Sequence, residues 1–276
     1  MILLLADCII VPGEATPYSS ASILDPNLIY PDTDVVRFVQ YQFNNGSDYT
    51  NITAEVNGPS TEQQIQMVKT AHQQYGKQNM THALSMLAYN QSVESVTDGI
   101  QHVPDNGIVL VELIQRILKQ GHSPTLKKYF AVSPSSNRTL DHAETNAQHL
   151  YQAGVPLIAG TDSVGSLNMN GSMVEVPFAL TLHYELQNFV NIVGMSSVEA
   201  LDAATRDPAK WHRVPDRGSV EVQKRADLFM LNFDPLVNIS NTLDIHKAWS
   251  AGREASQLYD PAQVKAVPYP ATLPDN

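Results

Sequence analysis

The chain has 276 residues, among them nine histidines, 28 Asp or Glu and a single cysteine. Any metal chemistry must therefore rest on imidazole and carboxylate, because no thiolate cluster can be assembled. Three residues stand out: His82, His102 and Asp162. Each follows a short apolar stretch that reads as a strand, and each precedes a turn or helix. In a parallel (β/α) barrel that location is the C-terminal face, where active sites of this architecture are built. Two imidazoles and one carboxylate meeting there suit a divalent ion of the zinc type, with Asp162 also able to take a proton from water. The field of such an ion brings the pKa of bound water towards neutrality, so the chemistry implied is hydrolytic. Taken singly, each residue has a plainer reading: a histidine after a strand is often a hydrogen-bonded structural residue, and an aspartate there is often a helix N-cap. The shared position of all three carries the metal reading.

The elements that must place these residues alternate from about residue 50 onward, apolar runs with amphipathic stretches, as βα units around a parallel sheet do. Ser60 and Gln63 form a capping box, Ile65, Val68, Ala71 and Tyr75 recur at helical spacing, and Gly76 supplies a stop. A strand at Gln78–Thr81 then leads to His82. A helical face from Ala83 to about Val96 follows, and Gly99–Gln101 leads as a strand to His102. Further helices are expected at Ile108–Gln120, Leu140–Ala153, Pro177–Val193 and Ser197–Ala204, and the apolar run from Val155 ends in Thr161-Asp162. After Gly218 the period shortens to two, and residues 226–232 and 245–251 read as strands. The expected organisation is an α/β body over 1–215, a small β segment over 216–255 and a Pro-containing tail over 256–276.

Composition excludes several classes. A formal charge of −11 with no local basic patch makes nucleic acid a poor partner. No apolar run approaches the roughly 18 residues that a membrane span needs, and no targeting segment is read near Met1. There is no Gly-x-Gly-x-x-Gly or Walker-type loop for a nucleotide and no Gly-x-Ser-x-Gly elbow for a serine hydrolase. Asn-x-Ser/Thr occurs seven times, against roughly two or three from composition, which points weakly to a secretory history. Two of these sites, Asn51 and Asn79, fall in expected buried strands where a glycan has no room.

Ala159-Gly160-Thr161-Asp162-Ser163, preceded by Ala153-Gly154-Val155-Pro156, resembles the last-strand motif of the metal-dependent amidohydrolase superfamily, in its imidazolonepropionase and Xaa-Pro dipeptidase-like branch. Thr81-His82-Ala83 and Ile100-Gln101-His102 are similar to the fifth- and sixth-strand histidine motifs. Glu199-Ala200-Leu201 and Ala203-Ala204-Thr205 resemble helices after the last strand. Arg217-Gly218-Ser219-Val220 and Lys224-Arg225-Ala226-Asp227-Leu228 resemble the returning β-sandwich segment. The resemblance covers roughly residues 20–255. It implies a TIM-type (β/α) barrel, incomplete at its N-terminus, with a small C-terminal β-sandwich segment. It also implies zinc-type ions and hydrolysis of an amide, cyclic amide or dipeptide-like small molecule. Under it, His82 and His102 match metal ligands, Asp162 matches the carboxylate that binds metal and moves the proton, and His183 matches a recurrent position with a packing or substrate-side role.

The departures carry equal information. The family's His-x-His pair does not occur in this chain, and Asn51, within Asp48-Tyr49-Thr50-Asn51-Ile52-Thr53, stands where the family has a bridging lysine. An amide oxygen is neutral and cannot form a carbamate between two cations, so at most one ion is expected. Missing early strands would leave open sheet edges, which favour homo-oligomers. Two readings stay open: a hydrolase, or a non-catalytic, degenerate or fragmentary member of the family.

Overall fold

A computed structural model describes residues 9–12, 28–55, 58–121, 123–126, 139–160, 166–169, 172–175 and 180–255. Asp162 and the tail after Ala255 lie outside the described residues. The chain divides into two compact units, Met1–Ile158 and Ala159–Asn276.

The first unit is built on parallel strands alternating with helices. β1 (Ile9–Pro12), β2 (Leu28–Ile29), β3 (Tyr49–Thr53), β4 (Gln78–His82), β5 (Gly99–Gln101), β6 (Ser123–Leu126) and β7 (Ile158–Ala159) form one sheet in the order β2-β1-β3-β4-β5-β6-β7. The pairings from β2 through β6 are parallel. The helices between them are α1 (Val35–Asn44), α2 (Thr61–Thr70), α3 (Met86–Ser95), α4 (Val111–Gln120) and α5 (Leu140–Gln152).

Local chemistry sets most of these boundaries. Ser60 Oγ accepts from Gln63 N and the Gln63 side chain accepts from Ser60 N, so the expected capping box opens α2. α2 loosens into a π-helical turn over Ala71–Tyr75 and stops at Gly76, which takes the left-handed conformation (φ +61°) that a Cβ disfavours. The alternation read from residue 50 omits α1, which packs Val35, Val39 and Phe43 with Ile52 of β3 and Met67, Val68 and Ala71 in one apolar cluster. Two helices begin later than the sequence periodicity suggests. α3 starts at Met86 because Ser85 caps Ala88 N. α4 starts at Val111, not Ile108, because Leu110, its N-cap, is extended (φ −76°, ψ 154°), and Val109 N ahead of it is held by the Asn146 side chain.

That cluster fixes the orientation of the sheet. Ile52 faces α1 and α2, so Asn51 and Thr53 face the opposite, inner side, because side chains alternate along a strand. The parallel register aligns Asn51, Met80 and Gly99 in one row and Thr53, His82 and Gln101 in the next. Both rows therefore share the inner face.

In the second unit, β8 (Ser166–Met169) and β9 (Ser172–Glu175) form an antiparallel pair. α6 (Leu180–Asn188) runs into a π-helical turn ended by Gly194, and is followed by α7 (Ser197–Ala204) and α8 (Arg206–Trp211). Ser196 and Glu199 form a second capping box at the start of α7. β10 (Leu228–Leu231), β11 (Ile245–Ser250) and β12 (Arg253–Glu254) make a separate antiparallel sheet. Among the described residues no helix is long and apolar enough to cross a membrane.

Candidate metal centre

His82 ends β4 on the inner face of the sheet, level with Gln101 at the end of β5. His102 is the next residue after Gln101, and in a regular strand its side chain would point to the opposite, helix-covered face. Its backbone instead adopts φ +74°. A left-handed conformation costs a residue with a Cβ about 1–2 kcal/mol, and such residues persist only where their surroundings hold them. The turn brings the two imidazoles together: His102 Nε2 lies 2.9 Å from His82 Nδ1, with ring centroids 4.5 Å apart and planes at 76°. His102 is 3% exposed.

Both rims are tied down. The backbone bonds Ala54 N to His82 O (3.0 Å) and Ala83 N to Gln101 O (3.2 Å) extend the strand ladders past the histidines. Glu55, two residues beyond β3, accepts hydrogen bonds from Leu84 N and Ser85 N with its Oε1. A carboxylate there meets the first turn of α3, where unpaired N–H groups and the helix dipole favour negative charge. The loops after His82 and His102 are joined by Asp105 N donating to Leu84 O (3.1 Å) and Met86 N donating to Asn106 Oδ1 (2.8 Å).

Below the histidines on the same face, Asn51 Nδ2 donates to Gln101 Oε1 at 3.1 Å, a bond that spans β4. Its other terminal atom, Oδ1, is buried and has no hydrogen-bond partner among the described residues. The opposite face carries a closed polar network. There Asn79 Nδ2 donates to Thr50 Oγ1 (2.7 Å), while Thr97 Oγ1 donates to Asn79 O (2.7 Å) and lies 2.9 Å from Asn79 Oδ1. Asn79 is fully buried, as expected of a strand sequon that cannot carry a glycan.

The donor set fits half of a zinc-type site. Two nitrogen ligands of a tetrahedral zinc, each at about 2.0–2.1 Å, lie about 3.3–3.4 Å apart, so the observed pair needs to open by roughly half an ångström. Among the described residues no group of three or more His, Cys, Asp or Glu is gathered to hold a metal. The third expected ligand, Asp162, lies outside them. His183 is a half-buried residue of α6, its pKa held below the usual imidazole value by desolvation. Sequence reasoning did not find Glu55 or Asn146, because each acts on a loop remote in the chain and neither sits at a motif-like spacing.

Together, the parallel strands, their intervening helices and the imidazole pair at the C-terminal ends of adjacent strands define an α/β protein built of βα units. Comparison with known proteins makes the assignment specific. The model of the Amidohydrolase family matches residues 31–255, and the chain belongs to that family. The 5-methylthioadenosine/S-adenosylhomocysteine deaminase of Halalkalibacterium halodurans is 31% identical over 100 residues, which are 36% of this chain and 22% of that enzyme. Among solved structures, A. niger ochratoxinase superposes with a TM-score of 0.67 at 19% identity, covering 82% of this chain and 55% of that one. A Xaa-Pro dipeptidase crystallised with methionine in its active site gives a TM-score of 0.67 at 19% identity, covering 88% and 63%. The chain thus spans less than two thirds of the length of these relatives.

Proposed function

We propose that this chain forms the barrel portion of a metal-dependent hydrolase that cleaves a C–N bond in a small amide, cyclic amide or dipeptide-like molecule. The observation that carries this reading is the approach of His82 Nδ1 and His102 Nε2 to 2.9 Å on the inner face at the C-terminal ends of β4 and β5. The reactions named for the relatives, deamination and dipeptide cleavage, both break C–N bonds. A divalent ion of the zinc type, when bound, polarises a carbonyl and lowers the pKa of water. His82 and His102 would hold it through the two facing nitrogens. Asn51 offers only a neutral oxygen where the family has lysine, so the chain's residues favour a single ion. Asp162 would take a proton from water and pass it to the departing nitrogen, which otherwise leaves as a poor anion. The same reading takes residues 1–215 as a barrel closed by further strands and 216–255 as part of a β-sandwich.

Elemental analysis of the folded protein tests the proposal, alongside His82→Ala and Asp162→Ala. Near-stoichiometric zinc in the parent, lost in both variants, is the expected result. A panel of N-acyl amino acids, X-Pro dipeptides and cyclic amides then identifies the substrate. Folded protein without metal refutes the catalytic reading and leaves a non-catalytic member of the family.

A further inference from the structure

We infer that Asn146 is a positioning residue for His102, acting through the loop of residues 103–109; this rests on the metal-site reading above. Asn146 projects from α5 and is fully buried. Its Nδ2 donates to Pro104 O and Gly107 O, each at 2.8 Å, and its Oδ1 accepts from Val109 N, also at 2.8 Å. One carboxamide thus spends both of its donor hydrogens and one acceptor site on three backbone groups of a single loop. An aspartate would turn its charge on two carbonyls, and a leucine would leave all three groups unpaired, those of Pro104 and Val109 buried. Pro104 is buried and Val109 is 2% exposed, so water is a poor substitute at these two positions.

His102 sits at the upstream end of this loop. Its left-handed backbone is what turns the ring onto His82, and that conformation holds only if the residues that follow are fixed. The other ties on the loop fall on Asp105 and Asn106 at its middle: Thr139 N donates to Asp105 O (2.6 Å), His142 Nδ1 lies 3.3 Å from the same oxygen, and Asp105 N and Asn106 Oδ1 join the neighbouring loop. Among the described residues, Asn146 alone spans it from Pro104 to Val109. Its effect on the metal site should therefore pass through the His102 ring.

The test is a double-mutant cycle on zinc affinity, measured by titration calorimetry on chelator-stripped protein, for the parent, Asn146→Ala, His102→Ala and the double variant. Urea denaturation and circular dichroism report folding. Asn146→Ala should weaken zinc about 10- to 100-fold in the parent, the range seen when groups supporting a ligand are removed. In the His102→Ala background it should change affinity less than about twofold, while lowering stability equally in both. Asn106→Ala, which cuts a less buried tie of the same loop, should weaken zinc in the same direction and serves if Asn146→Ala does not fold. Equal losses with and without His102, or unchanged affinity in the folded variants, overturn the inference. If the parent itself binds no zinc, the function proposal fails separately, and the imidazole 15N resonances decide. Asn146→Ala or Asn106→Ala should then shift His102 and leave His183 unmoved, and an unmoved His102 overturns the inference.

Discussion

Tyr89 gives a prediction whose sign is opposite to that of most core substitutions. It lies on α3, the helix that follows His82, and is 0% exposed. Its hydroxyl has no hydrogen-bond partner among the described residues, and burial pushes the phenol pKa far above its usual value. A buried hydroxyl left unpaired costs about 1–3 kcal/mol, because water bonds are lost on folding and nothing replaces them. Tyr89→Phe keeps the ring and its packing while removing that group. The substitution should stabilise the protein by about 1–2 kcal/mol, which for a chain of this size is a rise in Tm of roughly 2–8 °C. Tyr89→Ala, by contrast, empties the ring's volume and should cost about 3–5 kcal/mol. Urea midpoints followed by circular dichroism measure both, with the m-value confirming an unchanged transition. A Tyr89→Phe variant less stable than the parent by 1 kcal/mol or more would refute the reasoning, since it would mean that the hydroxyl is paired.

Two further outcomes follow from burial elsewhere. Ile52→Ala removes a fully buried side chain from the cluster that joins β3 to α1 and α2, and should cost about 2–5 kcal/mol in urea denaturation. His183 is held below its usual pKa by desolvation, so on acidification the unfolded chain takes up its proton before the folded one does. The stabilisation is therefore complete above about pH 6.5 and is lost as pH falls. His183→Gln should flatten the decline of Tm between pH 7.5 and 5 in part, because His212 is lowered by burial in the same way and contributes its own share.

What the sequence determined by itself is the part of the fold that rests on neighbours three or four residues apart. The Ser60–Gln63 and Ser196–Glu199 capping boxes, the stop at Gly76 and the alternation of βα units involve groups that meet as soon as a helical turn forms. The strand-end positions of His82 and His102 were legible for the same reason, and the ordered motifs around them pointed to the family. The α1 helix was locally legible as well, since Asp34 caps Arg37 N and Val35, Val39 and Phe43 lie four residues apart, but it stands ahead of the alternation that the reading followed.

Only the tertiary structure decided how the site is held. The φ of His102 reverses the face that strand alternation assigns to it, and nothing in Ile100-Gln101-His102 announces that turn. The Asn51–Gln101 bond crosses β4, Glu55 reaches the loop after His82, and Asn146 grips a loop about 40 residues before it in the chain. These bonds join groups far apart in sequence, whose closure entropy is met by packing the sheet and its helices rather than by any local preference. A periodic pattern records which face of an element is buried. It does not record which polar group on a distant element will meet a turned backbone, and that meeting is what aims the two imidazoles at each other.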